Sequence, residues 1–314
     1  MAYTNTDTNM TTSSALSAGM QTYYNRELLR TFEPNLVHLQ FGDEHRMPPH
    51  SGLVMNMRKL IPLETNTKAL SEGDPGESVM LAETEVTVQL QQYGEYARCT
   101  DKLDLTHLDM DIMRRTKLFG DAGARSIDAV VREELAKCAN VIYAGGKASR
   151  AELTVADKLT SRELRKAVKT LKKNHAQTFG GYFVAIIGPD TMYDLQEDEA
   201  FVKVSQYQDK ENIYTGEVGR LFGVRLVETT EAKIFEGAGA SGADVASVIV
   251  LGQYAYGVTS LKGAKPRVIV KPAGSAGTAD PLDQISTVGW KMDGFGAKLL
   301  QPEYAVRIEC GFSA

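Results

Sequence analysis

Few residues in this chain have types and spacing that invite chemistry. Gly237, Gly239 and Gly242 fit the G-x-G-x-x-G pattern, in which a tight glycine turn delivers a pyrophosphate to the N-terminus of the next helix. The segment that follows, Val245 to Leu251, reads as a strand, and no acidic residue stands about 20 positions on to hold a ribose. An ordinary loop is therefore expected, with a nucleotide-binding α/β enzyme as the outlying alternative. His38, Asp43, Glu44, His45 and His50 crowd one stretch and could offer metal ligands. None has the spacing that sets two imidazoles on one helical face, and Pro48 and Pro49 disfavour a helix. Asp101, Asp104, Asp109 and Asp111 lack the frame of a calcium loop. They read as negative charge at a helix start, where the dipole favours it. Cys99 and Cys138 are potential nucleophiles, but Cys138 falls on an apolar stripe and reads as a small core residue. Lys59 and Lys68 could form isopeptide cross-links, although surface lysines are normally solvated. Neither a Walker A motif nor a Gly-x-Ser-x-Gly elbow occurs. The expectation is a protein without catalytic residues, metal or cofactor.

The elements that would position these groups are clearer. Residues 1 to about 20 are Thr/Asn/Ser-rich and too poor in large apolar groups to offset their ordering entropy, so they read as a flexible arm. Tyr23, Tyr24, Arg26, Leu28, Leu29 and Phe32 give a short amphipathic helix that stops at Glu33-Pro34. Leu36 to Ser51 reads as a loop. Gly52 to Pro62 and Thr84 to Gln92 read as strands around a turn at Ser71 to Glu77, and Tyr93 to Thr100 continues the second one. They form a long two-stranded ribbon with little in the chain to cover it. Such a ribbon is marginal alone, so it calls for a partner surface. Leu105 to Ala144 carries a helical apolar stripe closed by Gly145-Gly146. As one helix of about 38 residues it would run ~57 Å, with Gly120 and Gly123 as points of bending or breaking. From about Val155 onward, helix and strand signals alternate: a helix from Ser161 to about His175, strands at Tyr182–Ile187, Gly223–Glu228 and Ser247–Leu251, and a short helix from Thr191 to Glu197. Gly263 to Asp280 is Gly/Pro/Ala-rich, and late strands follow at Thr287–Trp290, Ala297–Leu300 and Tyr304–Ile308. The class is α+β.

Composition narrows the function. The 314 residues hold 35 Lys+Arg against 40 Asp+Glu, a formal charge of -5, where dedicated nucleic-acid binders carry a basic excess. Any DNA contact should be weak or local. No apolar run approaches the ~20 residues that span a bilayer, and no secretory leader is visible, so no membrane partner is expected. Three widely spaced cysteines argue against a disulfide framework and fit a reducing compartment.

The order of several segments resembles the major capsid proteins of tailed bacteriophages with the Hong Kong ninety-seven fold. Within them it resembles the phage N-four coat protein subfamily. The matching segments are Tyr23-Tyr24-Asn25-Arg26-Glu27-Leu28-Leu29, Gln40-Phe41-Gly42, Leu70-Ser71-Glu72-Gly73-Asp74-Pro75 and Gln92-Tyr93-Gly94-Glu95-Tyr96. Thr215 to Val224 and Val288-Gly289-Trp290-Lys291 complete the set. The resemblance implies a flexible N-terminal arm (1–51), an extended β-hairpin loop (52–88), a peripheral domain with a long spine helix (89–154 and 266–314) and a mixed α/β axial domain (155–265). It implies copies assembling as hexamers and pentamers into an icosahedral shell around double-stranded DNA, with procapsid maturation, in a virion made in the bacterial host cytoplasm. Subunit contacts are expected from Tyr23, Tyr24 and Arg26 on the arm and from Arg58, Lys59, Glu64, Lys68, Glu72 and Asp74 on the loop. A separate scaffolding protein, a portal and possible decoration proteins are the expected partners, with weak non-specific contact to packaged DNA. An encapsulin-like nanocompartment shell is the alternative within the same fold.

Overall fold

The computed structural model describes residues 36–48, 50–60, 83–101, 112–198, 220–261, 265–275 and 281–313, with single positions between. Leu28, helical and buried, is the described position of the expected first helix. The rest of that helix, the arm, the turn at 71–77 and Asp104, Asp109 and Asp111 lie outside the described residues.

Along the chain, β1 is Asp43–Met47, β2 Val54–Leu60, β3 Glu83–Gln89 and β4 Gln91–Thr100. Helix α1 is Ile112–Leu135, then come β5 Val141–Tyr143, helix α2 Ser161–Lys173, β6 Phe183–Ile187 and helix α3 Pro189–Gln196. Strands β7 Arg220–Leu221, β8 Val224–Glu228, β9 Ile234–Phe235, β10 Val245–Leu251, β11 Tyr256–Leu261 and β12 Arg267–Lys271 follow. The last two are β13 Ile285–Leu299 and β14 Ala305–Cys310.

The chain divides into two compact units, one of 1–37, 91–129 and 263–295 and another of 38–90, 130–262 and 296–314. The second is built on a sheet ordered β5-β14-β10-β6-β8-β7, with β9 also on β10. β6 and β10 are apolar, or nearly so, and buried throughout, as strands covered on both faces must be. Leu164, Ala167, Val168 and Leu171 of α2 bury into the same core. Thr160 caps α2, and its hydroxyl donates to the Glu163 carboxylate. The helix begins at Ser161 as expected, but the cap is Thr160 and not Ser161, whose amide and hydroxyl donate to Asp198 at 2.8 and 2.5 Å. The opposite side of α2 exposes Arg162, Arg165, Lys169, Lys172 and Lys173. The buried charges of β14, Arg307 and Glu309, are paired with each other at 2.8 Å. Glu309, fully buried on β14, accepts two 2.7 Å bonds from Arg150, and the Arg150 guanidinium stacks 3.6 Å from the Phe235 ring centre.

In the first unit, β4 and β12 flank β13, both antiparallel to it. Val288, Trp290 and Met292 face inward and are buried.

Several expectations change. α1 runs unbroken through Gly120 and Gly123 but ends at Leu135, not Ala144. The Cys138 amide bonds the Leu135 carbonyl, tightening the last turn. The Asn140 amide group then donates to the Pro302 and Ala305 carbonyls, and Val141–Tyr143 pairs in parallel with β14. Sheet pairing, which suits a Val-Ile-Tyr run, wins over a helical spacing that Cys138 and Ile142 match by coincidence. Gly145 and Gly146 form a 3-10 turn with positive φ, not the cap of that helix. The stretch 36–51, read as loop, contains β1, paired in parallel with β11. The Gly/Pro/Ala-rich stretch contains β12, and two of the late strands are one, β13. Residues 296–314, grouped above with 89–154, fall in the second unit together with β5, because β14 lies between β5 and β10.

Candidate assembly surfaces

The hairpin β2–β3 pairs Val54 with Gln89 through to Leu60 with Glu83. Its period-2 pattern gives it two unlike faces. One carries Met55, Met57, Val86 and Val88, with Met57 and Val88 buried. Met57 lies over Gly257, where a side chain would come within 3.1 Å of its sulfur. The other face carries Val54, Asn56 and Arg58 opposite Gln89, Thr87 and Glu85, all exposed. Leu53, Val54, Met80 and Leu81 expose 63%, 51%, 89% and 71% of their surface. Four such apolar side chains on one excursion mark a surface that awaits a partner.

Of the nine expected contact residues, Arg58 and Lys59 are described; Tyr23, Tyr24, Arg26, Glu64, Lys68, Glu72 and Asp74 lie outside. Arg58 stands on the exposed face, 3.6 Å from Glu83. Lys59 turns inward: its ammonium meets the Glu303 carboxylate at 2.8 Å and ties the far end of β2 to the segment before β14. Lys59 holds the Glu303 carboxyl below the usual carboxylate range.

A second surface, absent from the sequence reading, is the outer face of the β4–β13–β12 sheet. Its cross-strand rows are Ile269–Gly289–Tyr96, Lys271–Thr287–Arg98 and Arg267–Lys291–Gly94. A side chain at Gly289 would come within 2.5 Å of the Glu95 carbonyl, so the middle of the face stays empty. The result is a groove of about 620 Å³. Tyr96 remains 61% exposed in it, with the Arg98 guanidinium donating to its hydroxyl at 3.2 Å. Asp293 pairs with Lys291 at 2.9 Å and Arg267 at 3.3 Å. The signal was in the sequence, since Gly289 lies within a quoted segment, but only register shows which residues it faces.

The groups singled out for chemistry are otherwise employed. The Gly237 amide donates to Asp244 at 2.6 Å, that of Gly239 to Ala243 and that of Ala240 to Leu153. These amides are spent within the chain, and β10 rather than a helix follows. Asp43 pairs with His45 at 3.1 Å and Glu44 with Arg46 at 2.8 Å along β1, while His38 is buried and its carbonyl accepts the Tyr256 hydroxyl. Among the described residues no cluster of three potential metal ligands forms. All three cysteines are buried, and burial raises the Cys138 and Cys310 thiols above their ordinary range. Among the described residues no helix is long and apolar enough to cross a membrane.

A family model described as phage capsid protein matches residues 83–308, more than two thirds of the chain. No curated protein matches significantly. Among solved structures, the capsid of Ralstonia phage GP4 aligns with TM-score 0.67 at 15% identity, covering 100% of this chain and 98% of that one. The capsid of cyanophage P-SCSP1u aligns with TM-score 0.65 at 16% identity over 87% of each chain. A virus-like particle from Pyrococcus furiosus aligns with TM-score 0.55 at 12% identity, covering 92% of this chain and 99% of that one.

Proposed function

The chain belongs to the phage capsid protein family, and on that premise we propose how it builds the shell. It is a major capsid protein, a component of the virion. Its copies join as hexamers and pentamers that tile an icosahedral shell around double-stranded DNA, assembled in the bacterial cytoplasm on a separate scaffolding protein, with a portal at one vertex and room for decoration proteins. The work is mechanical: area is buried between copies, and no bond is made or broken. The observation that carries this is the hairpin, which sets Val54 on its exposed face and Leu53 just before β2 in water, where cover comes from another chain. The arm and the loop tip, with Tyr23, Tyr24, Arg26, Glu64, Lys68, Glu72 and Asp74, are proposed to lie over neighbouring subunits beside Arg58. Many modest contacts of this kind let a shell reorganise during maturation without dissolving. The acidic balance suits a container that encloses DNA and touches it weakly.

Negative-stain microscopy of the protein co-produced with its scaffold tests the reading: closed shells are expected, and small closed oligomers under all conditions would overturn it. Deleting Thr65 to Gly76 should leave a folded protein that forms no stable shells; shells at normal yield would remove the loop from the interface.

A further inference from the structure

Helix α2 carries a strong concentration of positive charge. Arg162, Arg165, Lys169, Lys172 and Lys173 are all exposed and, at 100° per residue, fall in one stripe about 100° wide. The one acidic residue of the helix, Glu163, is buried and committed to Lys166 at 3.5 Å and to Thr160. Among the described residues, Arg162, Lys169, Lys172 and Lys173 have no carboxylate partner. Arg165 lies over the Phe222 ring at 5.0 Å and donates to the Ser161 carbonyl. On the other side, Leu164, Ala167, Val168 and Leu171 lock the helix to the core, so the cations stand on a rigid element. A chain of net charge -5 has thus gathered unneutralised cations on one ridge.

We propose that this ridge is where the protein meets the phosphate backbone of double-stranded DNA. The inference rests on the shell reading above and adds the surface through which the shell touches its contents. Two features favour DNA over an acidic protein segment. The stripe exposes no apolar side chain, whereas protein interfaces need an apolar centre and are depleted in lysine. From Arg162 to Lys173 the ridge runs about 16 Å, a length that holds about five phosphates of one strand and so matches the cations in number. Nothing on it reads base edges, so contact is independent of sequence and driven by counterion release.

The test uses the full chain, a fluorescent double-stranded DNA and anisotropy over a range of salt. The triple variant Lys169→Gln, Lys172→Gln, Lys173→Gln keeps good helix formers at exposed positions. It should bind at least tenfold more weakly at low salt, with the slope of log K against log salt shallower by about 2.7. The double variant Lys137→Gln, Lys147→Gln, off the α2 stripe, should keep the slope. Should the ridge variant misfold, the single charge reversal Lys172→Glu gives the same reading on a smaller scale. An unchanged slope overturns the proposal, as does ridge-dependent binding of polyglutamate with DNA binding unaffected. Micrographs of the wild-type chain co-produced with its scaffold separate the two readings. Shells with an unchanged slope remove the ridge alone. Absence of shells removes the shell reading, and the slope still decides what the ridge binds.

Discussion

The seven-stranded sheet and the β2–β3 hairpin are built from similar strand-forming residues, yet one is finished within the chain and the other is not. β10 pairs with β14 on one side and β6 on the other, and each of its seven residues is buried. Among the described residues β2 pairs only with β3, and the hairpin buries Met57 and Val88 on one face. Apolar area removed from water inside one subunit stabilises that subunit; apolar area left in water stabilises only the contact that covers it. The two regions therefore answer to different measurements, unfolding for the sheet and assembly for the hairpin.

The sharpest break of that contrast comes from the sheet. Ile308→Ala on β14 empties a fully buried position and should cost about 2–5 kcal/mol in thermal or denaturant unfolding, with shell yield falling because the subunit no longer folds. If shells form at normal yield from a subunit so destabilised, assembly does not depend on the finished sheet as the contrast requires. Next, Leu53→Ser with Val54→Ser should leave subunit stability within about 0.5 kcal/mol while shells weaken or fail in sedimentation. A large loss of subunit stability would show that this face is already covered. The smallest effect tests the join between the regions. Lys59→Gln should cost at most about 1 kcal/mol, since Glu303 is half exposed and solvent screens the pair. Because Lys59 lowers the Glu303 pKa, the contribution is complete above the ordinary carboxylate range. It fades as pH falls below that range through the lowered folded value, and in Lys59→Gln that fading should vanish from the pH dependence of stability.

Much of this was legible in the sequence where a period had one explanation. β3 alternates, and β6 and β10 are short apolar runs between turns, so their strands read directly. α1 was over-extended because Cys138 and Ile142 match a helical spacing that the pairing of Val141–Tyr143 with Arg307–Glu309 overrides. β1 was hidden because Asp43, Glu44, His45 and Arg46 resemble a solvated loop; only the parallel partner β11 makes them a strand. Of the contact residues, Arg58 is where alternation puts it. The same alternation turns Lys59 inward, but that Glu303, 244 positions away, receives it is a separation no local pattern reveals. The row on α2 was present in the letters too, but exposed lysines on an amphipathic helix ordinarily mean no more than solvation; their shared lack of carboxylate partners is visible only in three dimensions.

The position of β14 has one more consequence, in the order of synthesis. It is made after every other strand of its sheet, yet it lies between β5 and β10. A nascent chain that has not reached Ala305 thus offers two open strand edges where the finished sheet has none. The ribosome completes the sheet last, and a subunit whose synthesis stops short cannot present the rigid body on which its hairpin would be carried to a neighbour.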